Sequence, residues 1–300
     1  MKKALIVVAL LLAVFVGEIL MYDTNSHAQD KAPYVAVTNF ALYEISTKLL
    51  AGEVDVKKLI PFGTEMHTYT PSVKTMMLAS NAKFFIYSGL NMEPWITKVQ
   101  ANALNMSKFV HLNEVNEASH DEHEHHGSED PHYWLDIDNM IIMTSVLSDT
   151  FQKSFPKLQS KIKENASSYI SELKKLDKTY SKSLQNCQKS EIVLNHDAFN
   201  YLGKKYKFHS HALTGLSPDE QVGAKKMKEI SDLVKNEKIK VVFFESFVSD
   251  KVAQTIAKET GAKVESLQPL ANVTEGEASK GYIAIMRDNL EKLSFAMECE

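Results

Sequence analysis

Short apolar runs alternate with longer amphipathic segments through both halves of the chain. The apolar runs predict strands at 34–38, 54–60, 84–87, 109–112, 191–194, 208–213, 240–244 and 264–267. Apolar residues three and four positions apart predict helices at 40–50, 71–80, 94–104, 138–155, 198–206, 217–236, 249–260 and 282–297. Such alternation is typical of α/β proteins, in which helices cover mainly parallel sheets.

One predicted helix carries a clear start signal. Ser217 is a suitable N-cap, Pro218 suits the first helical position, and Glu220 completes a capping box. We therefore expect the helix of 217–236 to begin at Ser217.

The segment between the two halves has a different pattern. From Pro156 to Gln185 it contains no glycine and no further proline, and its apolar residues form one stripe from Leu158 to Leu184. The stripe predicts a single helix about 40 Å long, at 1.5 Å per residue. A coiled coil is the alternative, but the stripe is short and interrupted by small residues. A rigid spacer between two lobes explains the pattern better.

The first 28 residues predict an export signal. Lys2 and Lys3 precede an apolar run over 4–17, and Ser26-His27-Ala28 offers a cleavage site between small residues. An uncleaved N-terminal anchor is the alternative. We expect a signal peptide or anchor at 1–28, an N-terminal α/β lobe at 29–155, a linker helix at 156–186, and a C-terminal α/β lobe at 187–300.

Charge argues against one class of partner. The formal net charge is −4 at pH 7, and Arg287 is the only arginine. Proteins that bind nucleic acids carry basic surfaces, and recognition of phosphate usually relies on arginine. We therefore expect no nucleic-acid partner.

Two cysteines, Cys187 and Cys299, lie at the start and the end of the second half. An exported protein can oxidise such a pair, which would close this half with one disulfide. Two free thiols are the alternative, because the sequence does not give the distance between them.

Three histidines follow predicted strands or lie in loops of widely separated segments: His67, His132 and His196. Neutral imidazole is a good ligand for zinc and neighbouring transition metals. In open parallel sheets, ligands bind outside the carboxyl ends of the strands, and His67 follows the second predicted strand. Three unrelated loop histidines are the alternative, because no closely spaced pair of ligands anchors a site.

A second group of histidines lies in a strongly acidic tract at 117–129. The tract has too little apolar content to pack, so it predicts a mobile surface loop. Weak, exchangeable metal binding is the functional interpretation, and a solvated loop with accidental histidines is the alternative. The histidines of this tract are His120, His123, His125 and His126.

His209 and His211 form a third group on the strand predicted at 208–213. They face the same side of the strand because side chains alternate with a period of two. Metal ligands are one interpretation, and ordinary histidines at the rim of a sheet are the other.

Four segments together resemble the metal-binding periplasmic proteins of ABC transporters that carry zinc or manganese, the ZnuA type. The resemblance covers essentially the whole chain after the predicted signal. It is carried by His67 with Tyr69 and Pro71, and by the segments 130–135, 196–201 and 267–270. It implies an α/β fold of two lobes, each a mainly parallel sheet covered by helices, bridged by one long rigid helix. It also implies that His67, His132 and His196 bind a metal between the lobes.

The resemblance also bears on the identity of the metal. Manganese-binding members tend to carry a carboxylate where this chain has His196, and a third imidazole favours Zn²⁺ over Mn²⁺. Gln268 stands where many members carry an aspartate as a fourth ligand. The fourth ligand is then a water molecule, Gln268, or a carboxylate such as Glu65 or Glu245. Glu245 is favoured as a group that orients a ligand histidine.

The expected function is capture of zinc in the periplasm and its delivery to the membrane permease of an ABC transporter, by a monomer without catalytic activity. The alternatives are a manganese-binding protein of the same family, a metal-dependent adhesin and, from another class, a zinc hydrolase. Three histidines and a water molecule can be catalytic. However, no motif such as His-Glu-x-x-His supplies a general base at a fixed spacing from a ligand.

Overall fold

Two four-stranded parallel sheets, one in each half of the chain, form the framework in the described residues. The computed structural model describes residues 32–99, 102–114, 129–218, 221–246 and 250–300. The first sheet has the strand order β2-β1-β3-β4, and the second has the order β6-β5-β7-β8. The strands are β1 Tyr34–Val37, β2 Asp55–Lys58, β3 Phe84–Tyr87, β4 Ala103–Asn105, β5 Glu191–Leu194, β6 His209–Ala212, β7 Val241–Phe244 and β8 Lys263–Ser266.

Helices connect the strands and confirm the predicted α/β class. The α-helices are α1 Phe40–Leu50, α2 Val73–Ser80, α3 Ile137–Ser154, α4 Gln159–Ser183, α5 Asn200–Tyr206, α6 Ala224–Asn236, α7 Lys251–Thr260, α8 Glu275–Lys280 and α9 Tyr282–Ala296. Short 3-10 turns occur at Pro94–Lys98, Met106–Lys108, Tyr133–Leu135 and Pro156–Leu158. Among the residues described, none of the helices has both the length and the apolar character needed to cross a membrane.

Local side-chain contacts explain where several helices begin. The side chain of Asn39 accepts a hydrogen bond from the backbone N–H of Leu42 at 2.7 Å, at the start of α1. At the start of α2, the side chain of Ser72 accepts a hydrogen bond from the backbone N–H of Thr75 at 3.1 Å. Each bond satisfies a backbone N–H that has no partner within its own helix.

The long helix α4 packs against both halves of the chain. Its buried stripe includes Ile162, Leu173 and Tyr180, which belong to one hydrophobic core that also contains residues of both sheets. The Tyr180 hydroxyl donates to the carbonyl of Met286 in α9 at 2.6 Å, and the Asn165 amide donates to the carbonyl of Leu49 in α1 at 3.0 Å. The single helix predicted at 156–185 is confirmed over Gln159–Ser183, and residues Pro156–Leu158 form a 3-10 turn before it. Residues Tyr34–Glu300 form one compact unit.

The prediction is wrong at the end of the first sheet. The helix predicted at 94–104 is only the 3-10 turn Pro94–Lys98, and the fourth strand runs over Ala103–Asn105 rather than over 109–112. The side chain of Asn105 accepts from the backbone N–H of Ser107 at 3.0 Å and turns the chain out of the strand. The apolar residues Val110 and Leu112 contact the core from a loop instead.

In the second half, one predicted helix begins later than expected, and one helix was not predicted. Helix α6 begins at Ala224 after Gly223, not at Ser217, and Glu220 lies outside the described residues. Helix α8 was not predicted, although Thr274 and Glu277 form a capping box at its start. The sequence Thr-x-x-Glu was the local signal for it.

Three expectations fall on residues outside the described part of the chain. They are the signal peptide or anchor at 1–28, most of the acidic tract at 117–129, and all four of its histidines. The lobe boundaries at 155 and 187 remain predictions.

The structure joins Cys187 to Cys299 by a disulfide, so the alternative of two free thiols is wrong for this fold. Backbone hydrogen bonds flank it: the N–H of Lys189 donates to Met297 at 3.0 Å, and the N–H of Glu300 donates to Asn186 at 3.1 Å. The disulfide therefore ties the segment before β5 to the segment after α9.

We predict that replacing both cysteines by serine lowers the free energy of unfolding. The disulfide has a sequence separation of 112, and the loop-entropy estimate for a loop of this size is about 4 to 5 kcal/mol. Urea denaturation of the double variant against the parent protein measures the loss. Zinc binding should persist, because Cys187 precedes β5 whereas His196 follows its other end. An unchanged unfolding midpoint would contradict this role of the disulfide.

Candidate metal centre

Three histidines that are far apart in the sequence converge at one point. Each of His67, His132 and His196 offers one ring nitrogen, and these three atoms all lie within 4.8 Å of one another. The ring centroids are 5.5 Å apart for His67 and His132, 5.8 Å for His67 and His196, and 5.1 Å for His132 and His196. Such a cluster can hold a transition-metal ion.

The topology of the second sheet places His196. The strand order reverses between β5 and β7, and ligands of open α/β sheets bind outside the carboxyl ends of strands at such a point. His196 follows the end of β5, and Glu245 follows the end of β7 directly. The two side chains therefore meet at the same edge, where His196 Nδ1 is hydrogen-bonded to Glu245 Oε1.

His132 is oriented in the same way by its own segment. Its ring Nδ1 lies 2.9 Å from Asp130 Oδ1, and its backbone N–H donates to the same oxygen at 2.9 Å. Both side chains are buried. An ionised carboxylate only accepts hydrogen bonds, so the proton of the neutral ring lies on Nδ1. The Nε2 atom of His132 therefore has a lone pair available for a metal.

The two oriented histidines face each other through Nε2. Because Glu245 fixes the proton of His196 on Nδ1, both Nε2 atoms carry lone pairs, and they are 3.3 Å apart. Two nitrogens bound to one tetrahedral zinc ion at about 2.0 to 2.1 Å would be about 3.4 Å apart. The spacing thus fits one shared ion. Carboxylates behind ligand histidines are usual at metal sites because they fix the ring and raise its basicity.

Burial keeps His196 in the form that binds a metal. Burial lowers the pKa of the His196 imidazole well below its usual value, and the neighbouring His132 and His67 rings lower it further. The ring is therefore neutral at pH 7. A metal ion does not have to displace a proton from it.

His67 completes the cluster from the loop after β2. It is half-buried, and the backbone N–H of His67 donates to Glu65 Oε1 at 3.0 Å. Glu65 and His67 line a cavity of about 10 Å³ together with His196, Glu245 and several residues of the second half. A cavity of this size holds roughly one water molecule. Glu65 is thus a carboxylate of the first half that lines the same small cavity as His67 and His196.

Gln268 is held in a different network. Its side-chain amide donates to Glu277 Oε1 at 3.1 Å, and its side-chain oxygen accepts from the backbone N–H of Leu270 at 3.4 Å. It is not among the residues that line the cavity beside His67. These contacts stabilise the segment between β8 and α8.

Asn272 holds the His67 loop against the second half of the chain, a role that no sequence pattern predicts. Its amide nitrogen donates to the carbonyls of Pro61 and Thr64, each at 2.7 Å. Its side-chain oxygen accepts from Lys58 Nζ at 2.6 Å. Burial lowers the pKa of Lys58 to about 7. The position of the His67 loop therefore depends on a side chain more than two hundred residues away.

The chain is similar in sequence to a known protein family and to several named proteins. A family model described as "Zinc-uptake complex component A periplasmic" matches residues 35–296. The zinc-binding lipoprotein AdcA of Streptococcus pneumoniae is 32% identical over 98% of this chain and 60% of its own length. The high-affinity zinc uptake system protein ZnuA of Bacillus subtilis is 32% identical over 90% of each chain. The chain thus spans about three fifths of the length of AdcA.

A solved structure gives the same result. The zinc-bound ZnuA-like domain of Streptococcus pneumoniae AdcA superimposes with a TM-score of 0.75 at 30% identity, covering 89% of this chain and 99% of that domain. The match of the family model extends from β1 to the end of α9. The chain therefore belongs to the ZnuA family of periplasmic zinc-uptake components.

Proposed function

We propose that this protein captures zinc in the periplasm and delivers it to the membrane permease of an ABC transporter. The observation that carries the proposal is the pair of Nε2 lone pairs 3.3 Å apart, on histidines whose other ring nitrogens contact buried carboxylates. A cation bound between the two nitrogens would replace the repulsion of their lone pairs by two coordination bonds. The names of relatives, a zinc-binding lipoprotein and a zinc uptake protein, support zinc as that cation.

In this proposal His67, His132 and His196 bind the ion directly. The fourth ligand is Glu65 or a water molecule in the small cavity beside it, because Glu65 and His67 line the same space. Glu245 and Asp130 orient the two buried histidines rather than binding the ion. Gln268 is no ligand, because its amide and carbonyl groups have partners elsewhere.

The ligand set favours zinc over manganese. Three imidazoles suit zinc, whereas manganese is better bound by carboxylates, carbonyls and water. A tetrahedral site of three imidazoles and one oxygen ligand needs little space, which agrees with a cavity of about 10 Å³. The protein thus selects its cargo by ligand chemistry and by the size of the site.

Capture and delivery, rather than catalysis, fit this site. The family is one of solute-binding transport components. A catalytic zinc site keeps an open coordination position in a cleft that admits a substrate. Here His132 and His196 are buried, and the cavity that His67 and His196 line holds little more than one water molecule. We propose that the permease releases the ion by displacing one of the loops that cover it.

The ligand assignment predicts that replacing any of the three histidines by alanine severely weakens zinc binding. We expect the dissociation constant for zinc to rise by about 100-fold or more in His67→Ala, His132→Ala or His196→Ala. Loss of a group that only orients a ligand already weakens metal affinity by about 10- to 100-fold, and loss of the ligand itself should cost more. Calorimetric titration with zinc, using a competing chelator, measures the change. His111→Ala is the matched control, because His111 is exposed and outside the cluster. Full-strength binding by the His132→Ala protein would rule out the assignment.

The acidic tract supplies a second prediction. Deleting residues 119–128 should leave one tight zinc equivalent and remove only weaker equivalents, because the three proposed ligands lie on segments outside the tract. Calorimetric titration of the deletion variant and of the parent protein with zinc gives the number of tight and of weaker equivalents in each. If the tight equivalent disappears with the deletion, histidines of the tract belong to the principal site.

The packing of α4 predicts small changes of shape on zinc binding. A continuous helix without proline or glycine is a poor hinge, and α4 shares one core with both sheets. We therefore expect loops to order and the halves to tilt slightly, without wide closure. Small-angle scattering with zinc and with a chelator tests this expectation. A fall in the radius of gyration of several per cent on adding zinc would reveal a hinge elsewhere.

A further inference from the structure

A second cluster of histidine and carboxylate side chains lies at the edge of the second sheet. Strand β6 is an edge strand, and it pairs in parallel with β5 so that Glu191 is opposite His209 and Val193 is opposite His211. Paired residues of neighbouring strands project to the same face, and residues two apart on one strand do so as well. Glu191, His209 and His211 therefore share one face of the sheet.

The carboxylate of Glu191 contacts both imidazoles. Its Oε1 atom lies 3.0 Å from His209 Nδ1, and its Oε2 atom lies 2.5 Å from His211 Nε2. Ser190 Oγ also donates to Oε1 at 3.1 Å. Each oxygen thus accepts from one ring, and three groups of the kind that bind zinc are joined in one hydrogen-bonded cluster.

Solvent reaches this cluster, in contrast to the buried histidines of the principal site. The side chain of His209 is 74% exposed, that of His211 is 35% exposed and that of Glu191 is 24% exposed. An ion can therefore approach directly and keep part of its hydration shell. The exposed His209 ring can also rotate, since little packs around it.

We propose that Glu191, His209 and His211 form a second, exchangeable zinc site. The ion would take the place of the two N–H···O contacts and bind a carboxylate oxygen and one nitrogen of each ring. In the neutral rings the displaced protons move to the other ring nitrogens, so no net charge has to be removed. Water would complete the coordination.

Two features set the expected strength of this site. The two rings now contact opposite oxygens of the carboxylate, so His209 must rotate before both can reach one ion. Glu191, the carboxylate that contacts both rings, is itself partly exposed, whereas the buried Asp130 holds His132 in place. Because ordering of exposed side chains opposes binding, the site should bind zinc more weakly than the principal site.

The two sites are far enough apart to bind independently. Glu191 is the first residue of β5, and His196 lies five positions further along the chain. At about 3.3 Å per residue in an extended strand, the two Cα atoms are up to roughly 16 Å apart, and they lie at opposite ends of β5. Zinc at the sheet edge would therefore not compete for the ligands of the principal site.

The test uses the protein lacking residues 119–128, with the principal site first filled with zinc. Further titration with zinc by calorimetry should give one additional, weaker equivalent. That equivalent should be lost in His209→Gln and in His211→Gln, and should be kept in the matched control His111→Gln. Because His209 is an exposed residue, its replacement should leave the fold intact, and circular dichroism checks this.

Nuclear magnetic resonance of the imidazole nitrogens locates the ion. Zinc added beyond the first equivalent should shift the ring nitrogens of His209 and His211 but not those of His111. Absence of the weak equivalent, or its survival in both glutamine variants, would overturn the proposal. Failure of the principal site to bind zinc would refute the proposed function, whereas the ring shifts of His209 and His211 would still report on this cluster separately.

Discussion

The candidate metal centre depends on one electrostatic arrangement: the Nε2 atoms of His132 and His196 face each other at 3.3 Å. Neither ring can turn away, because Asp130 holds the Nδ1 proton of His132 and Glu245 holds that of His196. Lone pairs at this distance repel each other in a buried site, where the effective dielectric constant is low. A cation between them converts the repulsion into two coordination bonds. In the proposed site, the affinity for a metal would originate in the carboxylates behind the histidines as much as in the histidines themselves.

This arrangement requires the two halves of the chain to be held at a fixed distance. Helix α4 contributes by sharing one core with both sheets. Direct bonds between the halves act closer to the site: Trp134 Nε1 donates to the carbonyl of Pro269 at 2.8 Å, and the Tyr282 hydroxyl donates to the carbonyl of Trp134 at 2.7 Å. Trp134 lies two residues after His132, so these bonds fix the segment that carries the ligand. Asn272 does the same for the His67 loop.

The sequence predicted those parts that depend on local pattern. The apolar run before Asn195 predicted β5 and hence the position of His196 at a carboxyl end, and the uninterrupted stripe of 156–185 predicted α4. The strand at 103–105 was missed because its three residues are too few to show a periodic pattern. Val110 and Leu112 were assigned to a strand because they are apolar, but they contact the core from a loop. The role of Asn272 could not be predicted, because its partners Pro61 and Thr64 come close only in the folded chain.

Imidazole–carboxylate pairs occur at both histidine clusters, and burial decides what each pair does. In the cluster of His67, His132 and His196, the side chains of Asp130 and His132 are almost completely buried. The pair therefore has one geometry, and the position of His132 Nε2 is fixed. At the sheet edge, Glu191 contacts two rings, and the more exposed ring can leave the carboxylate at little cost because water replaces the lost bond. In the proposed zinc site, the first kind of pair would favour retention of the ion until the permease opens the site. The second kind favours rapid exchange, because each ligand can return to a hydrogen-bonded partner when the ion departs.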